Sequence, residues 1–198
     1  MRRLALITAV CILAGAAAPA LAQPYGPPSP PYAAPAPQVT VSLGPRLQAR
    51  AHIYGERDIA DLQRDLSQEV ERALARGSGP APVRVDLVIE DVKPNRPTFA
   101  ELSREPGLSL RSIAIGGARI GGSATLPNGA RVPIRFSWYE DDLRYELGPT
   151  TWTDAEQAFD MLARRLARGD IPQRYGPGDL SGRNYDFDDR WPFSRWPS

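Results

Sequence analysis

The spacing of hydrophobic residues changes several times along this chain, and each change predicts a new secondary-structure element. Between positions 56 and 76, apolar residues recur every three or four positions, which is the period of one helical face. Gly77 follows at a position where glycine commonly ends a helix. We predict a helix whose buried stripe is Ile59, Leu62, Leu66, Val70 and Leu74 and whose outward residues are Asp61, Arg64, Asp65, Gln68 and Arg72.

Alternating apolar and polar residues predict strands around this helix. Residues 83–90 have the period of a half-buried strand, and residues 39–43 and 48–54 resemble one strand or a broken pair interrupted by Gly44 and Pro45. Residues 110–126 and 131–139 flank Asn128-Gly129, a strong signal for a hairpin turn with positive φ. Pro133 places the second of these strands at a sheet edge or at a bulge. Residues 96–108 are predicted to form a loop with one helical turn at 98–102.

A second helix is predicted to begin at Thr153, because Thr153 and Glu156 have the spacing of a capping box. Gly169 and Pro172 stop it. Its buried residues would be Phe159, Leu162, Ala163 and Leu166. The predicted fold is α+β: a two-layer sandwich of a mostly antiparallel sheet with two helices on one face.

The first 22 residues have the pattern of a cleaved secretory signal. Arg2 and Arg3 precede an apolar run from position 4 to 18, and Ala20-Leu21-Ala22 supplies the small residues of a cleavage site. A membrane anchor fits less well, since the run is shorter than the roughly 20 residues needed to span a bilayer. A lipoprotein signal fits less well because Val10 precedes Cys11. We therefore expect export to the periplasm or the medium, with no transmembrane segment after cleavage.

Cleavage changes the chemistry of the mature chain. It removes Cys11, the only cysteine, and so excludes disulfides and thiolate metal sites. It also removes two of the 24 basic residues, leaving 22 against 23 acidic ones, and this near-neutral charge argues against nucleic-acid binding. The predicted organisation is a signal peptide (1–22), a Pro-rich linker (23–38), the α+β domain (39–171) and a Pro/aromatic tail (172–198).

Two glycine pairs, Gly116-Gly117 and Gly121-Gly122, invite comparison with phosphate-binding loops. Such loops lie between a strand and a helix N-terminus, and a P-loop also needs a Gly-Lys-Ser/Thr ending. Neither condition is met here. Because Ile113 and Ile115 differ in parity from Ile120, we predict that Gly116-Gly117 forms a β-bulge.

Three further features could carry chemistry, and none of them is specific. The acidic residues after the last predicted strand fit a solvated loop better than a catalytic or calcium site. The aspartates near the C-terminus are interpreted in the same way, and His52, the only histidine, is predicted on the surface of a strand. No catalytic, metal-binding or cofactor-binding residue is predicted. The acidic residues are Glu140, Asp141, Asp142, Glu146, Asp186, Asp188 and Asp189.

The C-terminal tail is rich in aromatic residues that could anchor a partner. A tail that docks back on its own sheet explains the composition equally well. The residues assigned to partner binding are Tyr185, Phe187, Trp191, Phe193 and Trp196, with Tyr175 preceding them.

Residues 91–99 (DVKPNRPTF) and 151–155 (TWTDA) are distinctive segments of the predicted domain. Together with the signal and the order of elements, they resemble small two-layer α+β domains of exported, envelope-associated bacterial proteins of unknown function. The chain departs from the lipoprotein members in lacking a lipobox cysteine, and the resemblance implies no functional residues.

The functional expectation is a non-enzymatic exported protein that binds an unidentified envelope protein or surface. A first alternative is a small hydrolase with Glu140, Asp141 or Asp142 as its base. A second is a small-molecule carrier that uses an apolar cleft between the sheet and the helices.

Overall fold

The computed structural model of the chain describes residues 36–140, 142 and 150–176. These residues fold as α+β, as predicted, with a four-stranded sheet and two long helices. No helix among them combines the length and apolar character needed to cross a membrane. The elements in chain order are β1 (Gln38–Leu43), α1 (Pro45–Tyr54), α2 (Glu56–Arg76), β2 (Arg84–Lys93), α3 (Phe99–Leu102), β3 (Gly117–Thr125), β4 (Arg131–Tyr139) and α4 (Thr153–Ala167).

The sheet has the strand order β1-β2-β3-β4 and is mixed. The pairs β2–β3 and β3–β4 are antiparallel, whereas β1 runs parallel to β2. The parallel pair arises because α1 and α2 carry the chain back to the starting end of the sheet before β2 begins. Most of the sheet is therefore antiparallel, as predicted.

The hydrophobic core lies between the sheet and the helices. Alternate residues of β2 point into it, and α2 and α4 pack against each other and against the sheet. The five predicted stripe residues of α2 and the four of α4 are all buried, which confirms both faces. The opposite face of β2 carries polar residues, Arg84, Asp86 and Glu90 among them.

The strand prediction for residues 48–54 was wrong, because this segment is helix α1. Gly44 is extended and Pro45 occupies the first helical turn, where its fixed φ favours a helix start. Leu47 and Tyr54 are buried and Ala51 packs against the core, a spacing of four and three residues that the apparent alternation concealed. His52 is exposed, as predicted, although on a helix.

The first long strand of the predicted hairpin is shorter than expected, and the predicted glycine bulge is absent. β3 begins at Gly117, and the register shift lies in β2, between Ile89 and Asp91. Gly116 has another role: its N–H donates to the Asp154 carboxylate at 3.1 Å, and a Cβ at this position would collide with the same side chain. The glycine thus permits close approach of the α4 N-terminus.

The hairpin turn between β3 and β4 is confirmed. The N–H of Leu126 donates to the Ala130 carbonyl at 2.9 Å, and Gly129 has φ 81°. Asn128 does not have positive φ, so the turn is a three-residue loop that ends in a left-handed glycine. Pro133 lies on β4, an edge strand, as predicted.

The helix ends differ from the predicted caps. Thr153 is the first residue of α4, and its hydroxyl donates to the Thr150 carbonyl rather than accepting from Glu156, so the predicted capping box was wrong. Gly77 does follow α2, but in an extended conformation. The helical turn predicted at 98–102 is confirmed as α3.

Candidate functional site

The two distinctive segments, 91–99 and 151–155, lie against each other in the fold. The backbone N–H of Asn95 donates to the Thr151 carbonyl at 3.0 Å, and its side-chain amide donates to the Thr150 carbonyl at 3.2 Å. Asn95 is only 1% exposed, so these bonds form inside the protein. They hold the loop after β2 against the segment that leads into α4.

A capping box in the first segment holds α3 in place. The Thr98 N–H donates to Glu101 Oε2 at 2.8 Å, and the Glu101 N–H donates to Thr98 Oγ1 at 3.2 Å. Both residues are buried, whereas Phe99, the first residue of α3, is 79% exposed. This short helix therefore presents an aromatic ring to solvent from a fixed backbone.

Trp152, in the second segment, is fixed by two contacts. Its indole Nε1 donates to the Asp58 carboxylate at 3.4 Å, and its ring meets that of Tyr54 edge to face at 5.8 Å between centroids. Asp58 belongs to the first turn of α2 and Tyr54 to the end of α1. The indole, which directly precedes α4, is thus held by contacts with α1 and α2.

Phe99 and Trp152 share a surface cleft with acidic residues of α2 and α4. The cleft lies between α2, α3 and the first turn of α4, and its volume is about 310 Å³. We call it the acidic cleft. It is lined by Asp58, Asp61, Leu62, Asp65, Phe99, Thr151, Trp152 and Glu156.

The acidic cleft carries negative charge that its own residues do not balance. Asp61 pairs with Arg64, and Asp58 accepts the indole N–H. In the part of the chain that the structure describes, neither Asp65 nor Glu156 has a hydrogen bond or ion pair through its carboxylate. Partial burial raises the pKa of the Glu156 carboxyl above its ordinary value, and the negative charge of nearby Asp65 raises it further.

The outward positions of Asp61 and Asp65 were predicted correctly from the sequence, whereas their proximity to Glu156 was not predicted. The spacing on α2 predicts which face is exposed; it cannot show which later segment crosses that face. The one available signal was that the two distinctive segments contain Phe99 and Trp152, the aromatic residues of the cleft.

The other candidate acidic residues lie elsewhere. The Asp142 N–H donates to Glu140 Oε1 at 3.2 Å, a local loop contact. Asp141, Glu146 and the three C-terminal aspartates lie outside the described residues. Among the residues described, no group of three or more His, Cys, Asp or Glu side chains could hold a metal ion.

The start of the tail docks on the sheet. The Tyr175 hydroxyl donates to the Glu90 carboxylate at 3.0 Å, and its ring lies 3.7 Å from the Arg119 guanidinium carbon. Arg119 in turn donates to Glu90 at 2.6 Å. Tail residues up to Gly176 therefore belong to the folded unit. The aromatic residues assigned to partner binding, Tyr185, Phe187, Trp191, Phe193 and Trp196, lie outside the described residues.

Comparison with known proteins gave no match: no protein-family model, curated protein or solved structure is similar to this chain.

Proposed function

We propose that this chain is a non-enzymatic exported protein that binds an envelope partner, and that the acidic cleft recognises a basic side chain of that partner. The observation that carries the proposal is the pairing of two unbalanced carboxylates, Asp65 and Glu156, with two aromatic rings in one cleft. An arginine side chain suits this combination, because its guanidinium stacks on aromatic faces and pairs with carboxylates at the same time.

The dimensions of the acidic cleft favour a side chain of a larger partner. Its volume of about 310 Å³ is at the lower end of the roughly 300–1,000 Å³ typical of ligand pockets. The exposed ring of Phe99 extends the contact beyond the cleft itself. A cation seated there would also relieve the repulsion between Asp65 and Glu156, so its binding should lower the pKa of Glu156.

Titration of the purified protein with a short arginine-rich peptide tests this assignment. The double variant Asp65→Asn/Glu156→Gln should bind about tenfold more weakly, since exposed ion pairs contribute up to about 1 kcal/mol each. The matched control is Glu71→Gln/Asp86→Asn, which removes the same charge at two positions that do not line the acidic cleft and should bind nearly as well as the wild type. Equal weakening by both double variants would mean that only overall charge matters, and the assignment would fail.

The tail supplies the second part of the proposal. We place the partner-binding aromatic residues beyond Gly176, because Tyr175 is already engaged by the sheet. Truncation after Gly176 should leave the melting temperature unchanged while weakening association with solubilised envelopes, since anchors of this kind become ordered on binding. Lower stability with unchanged association would instead make the whole tail part of the fold.

Export is tested separately from binding. If the signal is cleaved as proposed, the protein recovered from the periplasm or medium should begin at Gln23. Intact-mass measurement of the recovered protein decides this. A mass that retains residues 1–22 would contradict cleavage, and absence of the protein from both fractions would contradict the proposed location.

A further inference from the structure

We propose that two copies of this chain associate through the outer edges of β1, which pair antiparallel with Val41 opposite its own copy. This pairing would join two four-stranded sheets into one continuous sheet. It is independent of the proposed function, because it uses neither the acidic cleft nor the tail.

The outer edge of β1 presents backbone groups in the pattern of an unpaired strand. The N–H groups of Gln38 and Gly44 donate to carbonyls of Val83 and Ile89, at 3.1 and 2.8 Å. Backbone groups alternate in direction along a strand, so even-numbered residues of β1 bond toward β2 and odd-numbered residues point away. Within the described part of the chain, no strand lies beyond β1 in the sheet.

The opposite edge of the sheet is closed by the chain itself. The Arg135 N–H of β4 donates to the Pro172 carbonyl at 2.7 Å, and the Gly176 N–H donates to Ser137 Oγ at 3.0 Å. Pro133 removes a further donor from this edge. β1 has neither of these protections: its sequence QVTVSL contains no proline and no charge, the features that normally keep an edge strand from pairing.

Self-pairing about Val41 satisfies the outward backbone groups of β1. In that register Val41 faces Val41 of the second copy and Val39 faces Leu43, and all of these residues have outward N–H and C=O groups. The apolar side chains of both copies then lie on the helix-covered side of the joined sheet, where Val39, Val41 and Leu43 are half-buried in one copy. Thr40 and Ser42, which are exposed, face each other on the other side.

A second copy fits this edge better than a charged segment would. The strand is uncharged, so two copies meet without repulsion, and the two-fold axis makes the contact self-complementary. Gln63 Nε2 donates to the Val41 carbonyl at 2.6 Å, which occupies only one of the two lone pairs of that oxygen. The second lone pair remains for the N–H of the paired strand. Along the adjoining part of α2, Arg64 is paired with Asp61, so this flank does not present a single sign of charge.

The register makes a specific test possible, because Thr40 of one copy faces Ser42 of the other. The variant Thr40→Lys/Ser42→Lys brings like charges face to face twice and should be monomeric in analytical ultracentrifugation. The matched control Thr40→Lys/Ser42→Glu places opposite charges at the same positions and should remain dimeric, like the wild type. Mixing the double-lysine variant with Thr40→Glu/Ser42→Glu should restore a dimer that contains one copy of each.

The outcomes that overturn the proposal are equally defined. A wild-type protein that sediments as a monomer up to its solubility limit refutes it, and so does identical behaviour of the like-charge and opposite-charge variants. Circular dichroism and melting curves show whether each variant is folded.

If the double-lysine variant does not fold, Val41→Pro replaces it. The Val41 N–H points away from β2, so proline at this position removes the central donor of the dimer and leaves the hydrogen bonds between β1 and β2 intact. A Val41→Pro protein that is folded and still dimeric would also refute the pairing.

Discussion

Glu101 offers a test of the buried polar structure beneath the acidic cleft. Its side chain is fully buried, and the carboxylate accepts the N–H of Thr98, which is itself buried. Replacement by alanine leaves this N–H without an acceptor and opens a cavity, so we expect Glu101→Ala to lower the free energy of unfolding by about 2–4 kcal/mol at pH 7. Urea unfolding followed by circular dichroism measures this change.

The dependence on pH isolates the charge of Glu101 from its packing. Burial is the largest influence on this carboxyl and raises its pKa above the ordinary value of 4.5. Between pH 4.5 and the raised pKa, the folded protein binds more protons than the unfolded chain. The contribution of Glu101 to the free energy of unfolding therefore increases as the pH falls through this range. Glu101→Gln keeps an oxygen acceptor for Thr98 but cannot titrate. Relative to Glu101→Gln, the wild type should therefore gain stability as the pH falls from 7 toward 4.5.

A constant difference between the wild type and Glu101→Gln would contradict the effect of burial on Glu101. If the difference in unfolding free energy between wild type and Glu101→Gln stays constant from pH 7 to pH 4.5, the carboxyl titrates in the folded state as it does in the unfolded chain. Burial would then not penalise the charged form of Glu101. If Glu101→Ala is as stable as the wild type, the capping box does not hold α3.

Three further changes test other parts of the fold in urea or thermal melts. Leu66→Ala should cost roughly 2–5 kcal/mol, because Leu66 is fully buried in the core; a cost near zero would place that face of α2 in solvent. Gly129→Val should cost about 1 kcal/mol or more and Gly129→Asn less, since nothing lies within 4 Å of an added Cβ and only the positive φ opposes the change. Tyr175→Ala should cost about 1 kcal/mol by removing the ring from Arg119 and the hydroxyl from Glu90; no loss of stability would mean that the docked tail does not stabilise the sheet.

The secondary structure was predictable from the sequence where one period dominates. The stripe of α2 recurs over about four turns, and the Asn128-Gly129 turn has its own local chemistry, so neither depends on distant residues. Helix α1 was not predictable in the same way, because a short segment can satisfy two periods at once. Pro45 at the helix start, rather than the apolar pattern, decides between them.

The candidate site was less accessible to sequence analysis because its residues come together only through tertiary contacts. Asp65 and Glu156 are exposed on two different helices, and each alone is an ordinary surface residue. Thr153 shows a related limit: its spacing from Glu156 fits a capping box, but its hydroxyl donates to the Thr150 carbonyl in the preceding loop. Competition of this kind is decided by the loop before the helix, which periodicity does not describe.

The parallel pairing of β1 with β2 has a consequence for the order of folding. Gln38 pairs with Arg84 across the whole of α1 and α2, whereas β3 and β4 meet across a three-residue turn. Closing the longer loop costs more chain entropy before stabilising contacts can form. Contacts of high sequence separation therefore form late. We expect β3 and β4 to pair first and β1 to pair with β2 in a late step. Under this order, molecules trapped just before completion would lack their outermost strand and expose the edge of β2.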